Sequence, residues 1–115
     1  MALTELQMGS ETEECIDNCF EASQAAEKCA QHCIEMGEAE RARCIELCHD
    51  VADLTSLHAR MMARDSEYHR EIAAVCADLC ATCADECEQY DGQIPQTCAQ
   101  ACRACADSCR SMAGA

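Results

Sequence analysis

Fourteen cysteines fall into seven C-x-x-x-C pairs with none left over: Cys15/Cys19, Cys29/Cys33, Cys44/Cys48, Cys76/Cys80, Cys83/Cys87, Cys98/Cys102 and Cys105/Cys109. On a helix, residues four apart stand one above the other with Cβ atoms about 5–6 Å apart. Each pair therefore offers two sulfurs to one point in space, which is ligand spacing. Soft thiolates select soft ions, and that order places Cu(I) first with Zn(II) behind it. A two-thiolate site also suits Cu(I), which accepts two or three ligands, better than zinc, which wants four in a closed tetrahedron. Seven pairs imply about seven or more Cu(I) ions per chain, the larger numbers requiring bridging thiolates.

Other chemistries use the same residues. A buried free cysteine is a good small hydrophobe, but packing alone does not account for seven complete pairs. Disulfides would have to cross helices, because the two members of a pair diverge from one helix. The C-x-x-C-x-x-C run of iron–sulfur proteins is absent from the sequence. Two further classes stay beside the binding of many Cu(I) ions: a thiol–disulfide redox protein, and a general detoxification protein for Zn(II) or Cd(II). The sequence has no glycine-rich phosphate loop, no nucleophile elbow and no histidine paired with one special thiol, so no enzyme is expected.

The elements that must position these pairs are helices. Gly37, the Arg64-Asp65-Ser66 break, and Asp91-Gly92 with Pro95 divide the chain into segments of about 11–36, 38–63, 66–90 and 95–112, behind a short arm at 1–10. Ser10 with Glu13 has capping-box spacing, Gly37 and Gly92 suit the residue after a helix end, and Pro95 suits a first helical turn. Short connections favour antiparallel neighbours, and the expectation is an all-α, up-down-up-down four-helix bundle forming a single domain.

At about 100° per residue, Cys76, Cys80, Cys83 and Cys87 share one narrow stripe, as do Cys98, Cys102, Cys105 and Cys109. Helix one continues its stripe through Ala22 and Ala26, helix two through Val51, Thr55, His58 and Met62. Antiparallel packing then gives one end made wholly of thiols, from Cys29, Cys33, Cys44, Cys48, Cys83, Cys87, Cys98 and Cys102. The other end mixes Cys15, Cys19, Cys76, Cys80, Cys105 and Cys109 with His58, Met62, His69 and Met112 near the rim. That mixed end is expected to be the metal entrance, with His58, Met62 and His69 as weaker ligands and Met8 within reach from the arm. His32 and His49 fall off the stripe and read as surface residues.

Composition agrees with a core of this kind. Leu, Ile, Val and Phe number 14 among 115 residues, about 12%, and the formal charge is -14. Those values belong to disordered chains unless something other than hydrocarbon fills the interior. The charge disfavours nucleic acid and anionic membranes as partners. No apolar run approaches the roughly 18 residues of a membrane span, and no signal peptide is legible, so a cytoplasmic protein is expected, where thiols stay reduced. One lysine, Lys28, against 22 acids is a balance suited to high salt.

The residues resemble the four-helix-bundle copper storage proteins, in their leaderless cytosolic branch. The likeness runs through Glu14-Cys15-Ile16-Asp17-Asn18-Cys19, the Cys33-Ile34-Glu35-Met36-Gly37 helix end and the Arg64-Asp65-Ser66-Glu67-Tyr68-His69 turn. It closes with Cys98-x-x-x-Cys102-x-x-Cys105-x-x-x-Cys109-Arg110-Ser111-Met112-Ala113. The resemblance implies many Cu(I) ions stored inside the bundle on thiolates, an open end flanked by histidine or methionine, and homo-oligomers such as tetramers; a copper chaperone or chelator is the partner expected for release. Ala22, Ala26, Val51 and Thr55 stand where richer members carry thiols, so a lower capacity and a gap midway along the tube are expected.

Overall fold

A computed structural model describes residues 9–114. Four α-helices follow one another: α1 Ser10–Met36, α2 Ala42–Ala63, α3 His69–Cys87 and α4 Gln93–Gly114, with a 3-10 turn, Ala39–Arg41, ahead of α2. The described residues contain no strand. Each helix packs against the two beside it, α1 with α2 and α4, and α3 with α2 and α4, which closes an antiparallel four-helix bundle. Its longest dimension is 46 Å. None of the described helices is long and apolar enough to cross a membrane.

The helix ends follow local chemistry, with differences from the sequence expectation. Gly37 ends α1 in the left-handed region at φ 67°, its N–H donating to the Ile34 carbonyl at 3.1 Å. After α2, Asp65 takes that conformation at φ 53°. Its N–H donates to Met62 and that of Ser66 to Met61, the paired bonds of a Schellman end with aspartate in glycine's usual place. Ser10 does not cap α1. It lies inside the helix, Gly9 is the N-cap, and no side chain closes that end. Gly92 likewise belongs to the start of α4 rather than the end of α3: its carbonyl accepts from Gln96 and its φ is 110°.

Helix α3 is shorter than the segment 66–90 expected from the sequence. At its start the Ser66 hydroxyl accepts from the Tyr68 N–H, which holds residues 66–68 in a turn. At its end Gln89 and Tyr90 make tight turns onto Glu86 and Cys87, and the Gln96 side chain donates to the Tyr90 carbonyl at 2.8 Å. A helix continued through Tyr90 would lose these bonds. Helix α4 starts earlier than expected, at Gln93, so Pro95 falls within its first turn, where a missing N–H costs nothing.

The core inverts the usual assignment of residues. All fourteen cysteines are buried, and none is more than 1% exposed. Alanines fill the spaces between them, among them Ala22, Ala26, Ala30, Ala59, Ala73 and Ala84. Among the described large aliphatic residues only Val51 is fully buried, while Ile16, Ile45, Leu47, Leu54 and Leu79 pack around the rim of the core. Small side chains let helix backbones approach closely, and sulfur takes the volume that leucine would hold.

Candidate metal centre

Thiols meet across helices as closely as along them. Within single helices, Cys44–Cys48 sulfurs lie 4.0 Å apart, Cys83–Cys87 3.9 Å and Cys105–Cys109 3.8 Å. Between helices, Cys33–Cys44 and Cys19–Cys105 are each at 3.7 Å, Cys15–Cys109 and Cys48–Cys83 each at 3.8 Å. The unit is therefore a cluster drawn from several helices, not the isolated i,i+4 pair of the sequence argument.

Five groups of donors have all their ligand atoms within 4.8 Å of one another. At the all-thiol end they are Cys29/Cys48/Cys87/Cys98, Cys29/Cys33/Cys44 and Cys83/Cys98/Cys102. At the other end they are Cys19/Cys76/Cys105/Cys109 and Cys15/Cys19/His58/Cys109. Shared members link the groups of each end: Cys29 and Cys98 at one, Cys19 and Cys109 at the other. Cys80 belongs to none of these groups. It faces Cys76, Cys102 and Cys105, whose hydrogen bonds perturb it. Across the tube from it, α1 and α2 carry Ala22, Ala26, Val51 and Thr55, all buried. The gap expected from the sequence is thus one-sided. Helices α3 and α4 run thiols from end to end, and only the α1/α2 wall is interrupted.

His58 is not a rim residue. It is 0% exposed, with Nδ1 at 3.5 Å from the Cys109 sulfur and 3.6 Å from that of Cys19, while Nε2 is buried without a partner. Helical periodicity put it on the stripe but could not give its depth, which depends on how far α2 is offset along its neighbours. Met62 and Met112 are buried beyond it at that end, and His69 is half-buried at the first residue of α3, its Nδ1 enclosed without a partner. His69 joins none of the donor groups. His32 is half-buried and His49 exposed, and neither joins a donor group. Met8 lies outside the described residues.

The opposite end holds a residue that the sequence reading passed over. Arg41 is 9% exposed, and its guanidinium donates to Glu38 at 2.7 Å and to the Cys33 sulfur at 3.8 Å while lying 4.4 Å from the Tyr90 ring centroid. The available signal was its place: a base in the loop between the last thiol of α1 and the first of α2.

Hydrogen bonds among the thiols split their acidities. Cys109 is lowered to about 3, with Cys105, then Cys15 and Cys19, stabilising its thiolate. Cys83 is lowered to about 5, led by Cys102. Their neighbours move the other way: Cys15 is raised to about 11, chiefly by its bond to Cys109, and Cys48 and Cys80 are pushed above the usual thiol range, led by Cys29 and Cys102. Burial pushes the His58 imidazole down, but hydrogen bonds with Cys109 and Cys76 outweigh it and raise the group to about 10. At each end the acidities are thus split, with Cys76 and Cys109 lowered at one and Cys44, Cys83 and Cys98 at the other, because these thiolates accept what the surrounding S–H groups donate.

A model of the copper storage protein family matches residues 8–114. The chain belongs to the copper storage protein family. The Bacillus subtilis cysteine-rich protein YhjQ is 38% identical over 81 residues, covering 70% of this chain and 75% of that protein. Among solved structures, Cu(I)-bound BsCsp3 superposes with a TM-score of 0.85 at 38% identity, covering 90% of this chain and 99% of that one. A cytosolic copper storage protein from Streptomyces lividans, solved with five coppers, gives 0.83 at 30% identity, covering 91% and 93%. Family membership fits the interior described above, in which the thiols occupy the core of an antiparallel bundle.

Proposed function

We propose that this chain is a cytosolic, non-catalytic store of Cu(I). The observation that carries this reading is the continuity of the donor groups: two linked clusters of buried thiols, joined by the thiol column of α3 and α4. Cys15, Cys19, Cys29, Cys33, Cys44, Cys48, Cys76, Cys80, Cys83, Cys87, Cys98, Cys102, Cys105 and Cys109 are the ligands in this reading. His58 completes the inner group at its end, while Met62 and His69 take part in transfer at the entrance. Relatives of the same fold solved with copper support this reading. Assembly into tetramers and release to a copper chaperone or chelator belong to this proposal as well.

Anaerobic titration of the reduced protein with Cu(I) against a chromophoric chelator tests it. About seven or more equivalents are expected, since two thiolates suffice for each ion and bridging raises the number. Saturation below about three would overturn the storage reading. One observation favours a second metal. Cys15/Cys19/His58/Cys109 and the two all-cysteine groups of four are donor sets that Zn(II) takes in tetrahedral sites. Zinc displacing Cu(I) at equal concentration would favour a general soft-metal role.

A further inference from the structure

The thiol column is closed differently at its two ends. Among the described residues, Met62 and Met112 are buried at the His58 end, neutral and unbranched thioethers that are themselves soft ligands. At the all-thiol end the closure is charged and spans the mouth. Arg41 enters from the turn between α1 and α2, and Tyr90 from the turn between α3 and α4. Glu38 holds the guanidinium at 2.7 Å, the ring lies 4.4 Å away, and the Tyr90 hydroxyl donates to the Glu40 carbonyl at 3.0 Å. The two loops are thus tied together over Cys33, the outermost thiol of α1.

Charge gives this contact a second role. A Cu(I) ion held by two thiolates leaves one net negative charge, in a chain already at -14. Among the described residues Arg41 is the one guanidinium or ammonium group within hydrogen-bond reach of a cysteine sulfur, at 3.8 Å from Cys33. A guanidinium stays protonated under all working conditions, and its planar fork of five donors lets it hold Glu38 and a sulfur at once.

We propose that Arg41, clamped between Glu38 and the Tyr90 ring, is the stopper and counter-charge of the all-thiol end, which leaves the His58/Met62/Met112 end, already read as the entrance, as the open one. The copper half of this statement rests on the storage reading. The sealing half does not, and it is tested on the metal-free chain. Reduced protein is pulsed anaerobically with iodoacetamide and adducts are mapped to individual cysteines by mass spectrometry. In the parent, Cys109 is expected to react first and Cys33 and Cys44 among the last. Arg41→Met should speed Cys33 and Cys44 by about tenfold, the worth of one charge-assisted hydrogen bond, with Cys15 and Cys109 unchanged.

Early reaction of Cys33 in the parent would overturn the proposal, as would unchanged Cys33 and Cys44 rates in the variant. If all the thiols accelerate together, the bundle has loosened, and Arg41→Lys decides. Lysine keeps the charge without the fork, so selective exposure of Cys33 upholds the stopper and no change refutes it. On the loaded protein, removal of copper by a bulky chelator should be about tenfold faster in Arg41→Met at equal capacity, and an equal release rate would refute the route. Absence of bound copper in the parent would count against storage and leave the labelling result standing.

Discussion

His58 and its sulfur neighbours carry most of the chemistry that single residues decide. The raised thiols, Cys15 at about 11 with Cys48 and Cys80 above the usual range, still hold their protons at neutral pH. Cu(I) must displace those protons, so its apparent affinity rises with pH, by about tenfold per unit for each proton released. Competition titrations between about pH 6 and 8 should show that slope, and a flat profile would mean that the ligands are already thiolates. Loss of the imidazole has a narrower effect. His58→Ala leaves three thiols of its group in place, so total Cu(I) capacity should change by about one ion at most while loading slows. Stopped-flow absorbance of the Cu(I)–thiolate band measures this, and an unchanged loading rate would remove His58 from the transfer path.

At the scale of elements, the two walls of the tube differ. Cys19 meets Cys105 and Cys109, and Cys29 meets Cys87 and groups with Cys98, so Ala22 and Ala26 between them stand level with Cys102. On α2, Val51 and Thr55 fall between Cys48, beside Cys83, and His58, beside Cys109. Thr55 spends its hydroxyl on the Val51 carbonyl at 2.6 Å, which a helix does not require. Replacing Ala22, Ala26 and Thr55 together by cysteine should add about one to two Cu(I) ions per chain, at a packing cost of about 1–3 kcal/mol. Copper analysis after gel filtration reads the capacity, and no gain would show that the gap is not limiting. Helix ends were legible wherever one residue decides them, as at Gly37. The end of α3 was not, because Tyr90 leaves the helix for a partner, Arg41, that is distant in sequence.

The whole molecule combines a thin core with a large charge. Cysteine and alanine bury less area than leucine, at roughly 25 cal/mol per Å², so the empty bundle draws modest stability from its interior. Copper that binds the folded chain adds to this, and a hundredfold excess over Kd at one site should raise Tm by about 10 °C or more. Differential scanning calorimetry of empty and loaded protein checks it, and equal melting would show a core complete without metal. The charge of -14 acts in the other direction through self-repulsion. Raising ionic strength from about 0.01 M to 0.15 M shortens the screening length from about 30 to 8 Å and should raise the melting temperature of the metal-free protein. An unchanged temperature would show that the acids, spread over exposed helix faces, interact too weakly to matter.

The sequence by itself determined the helices, their antiparallel order, the burial of the cysteines and the division into a thiol end and a mixed end. These follow from period, spacing and short connections, which are properties of neighbouring residues. Tertiary structure alone decided which sulfurs share a cluster, that Cys80 joins none of the groups of donors, that His58 sits inside the column, and that Arg41 meets Cys33 and Tyr90. Each of those depends on the offset of one helix along another and on where a loop folds back. Such distances are set by packing between residues far apart in the chain, and no local pattern encodes them.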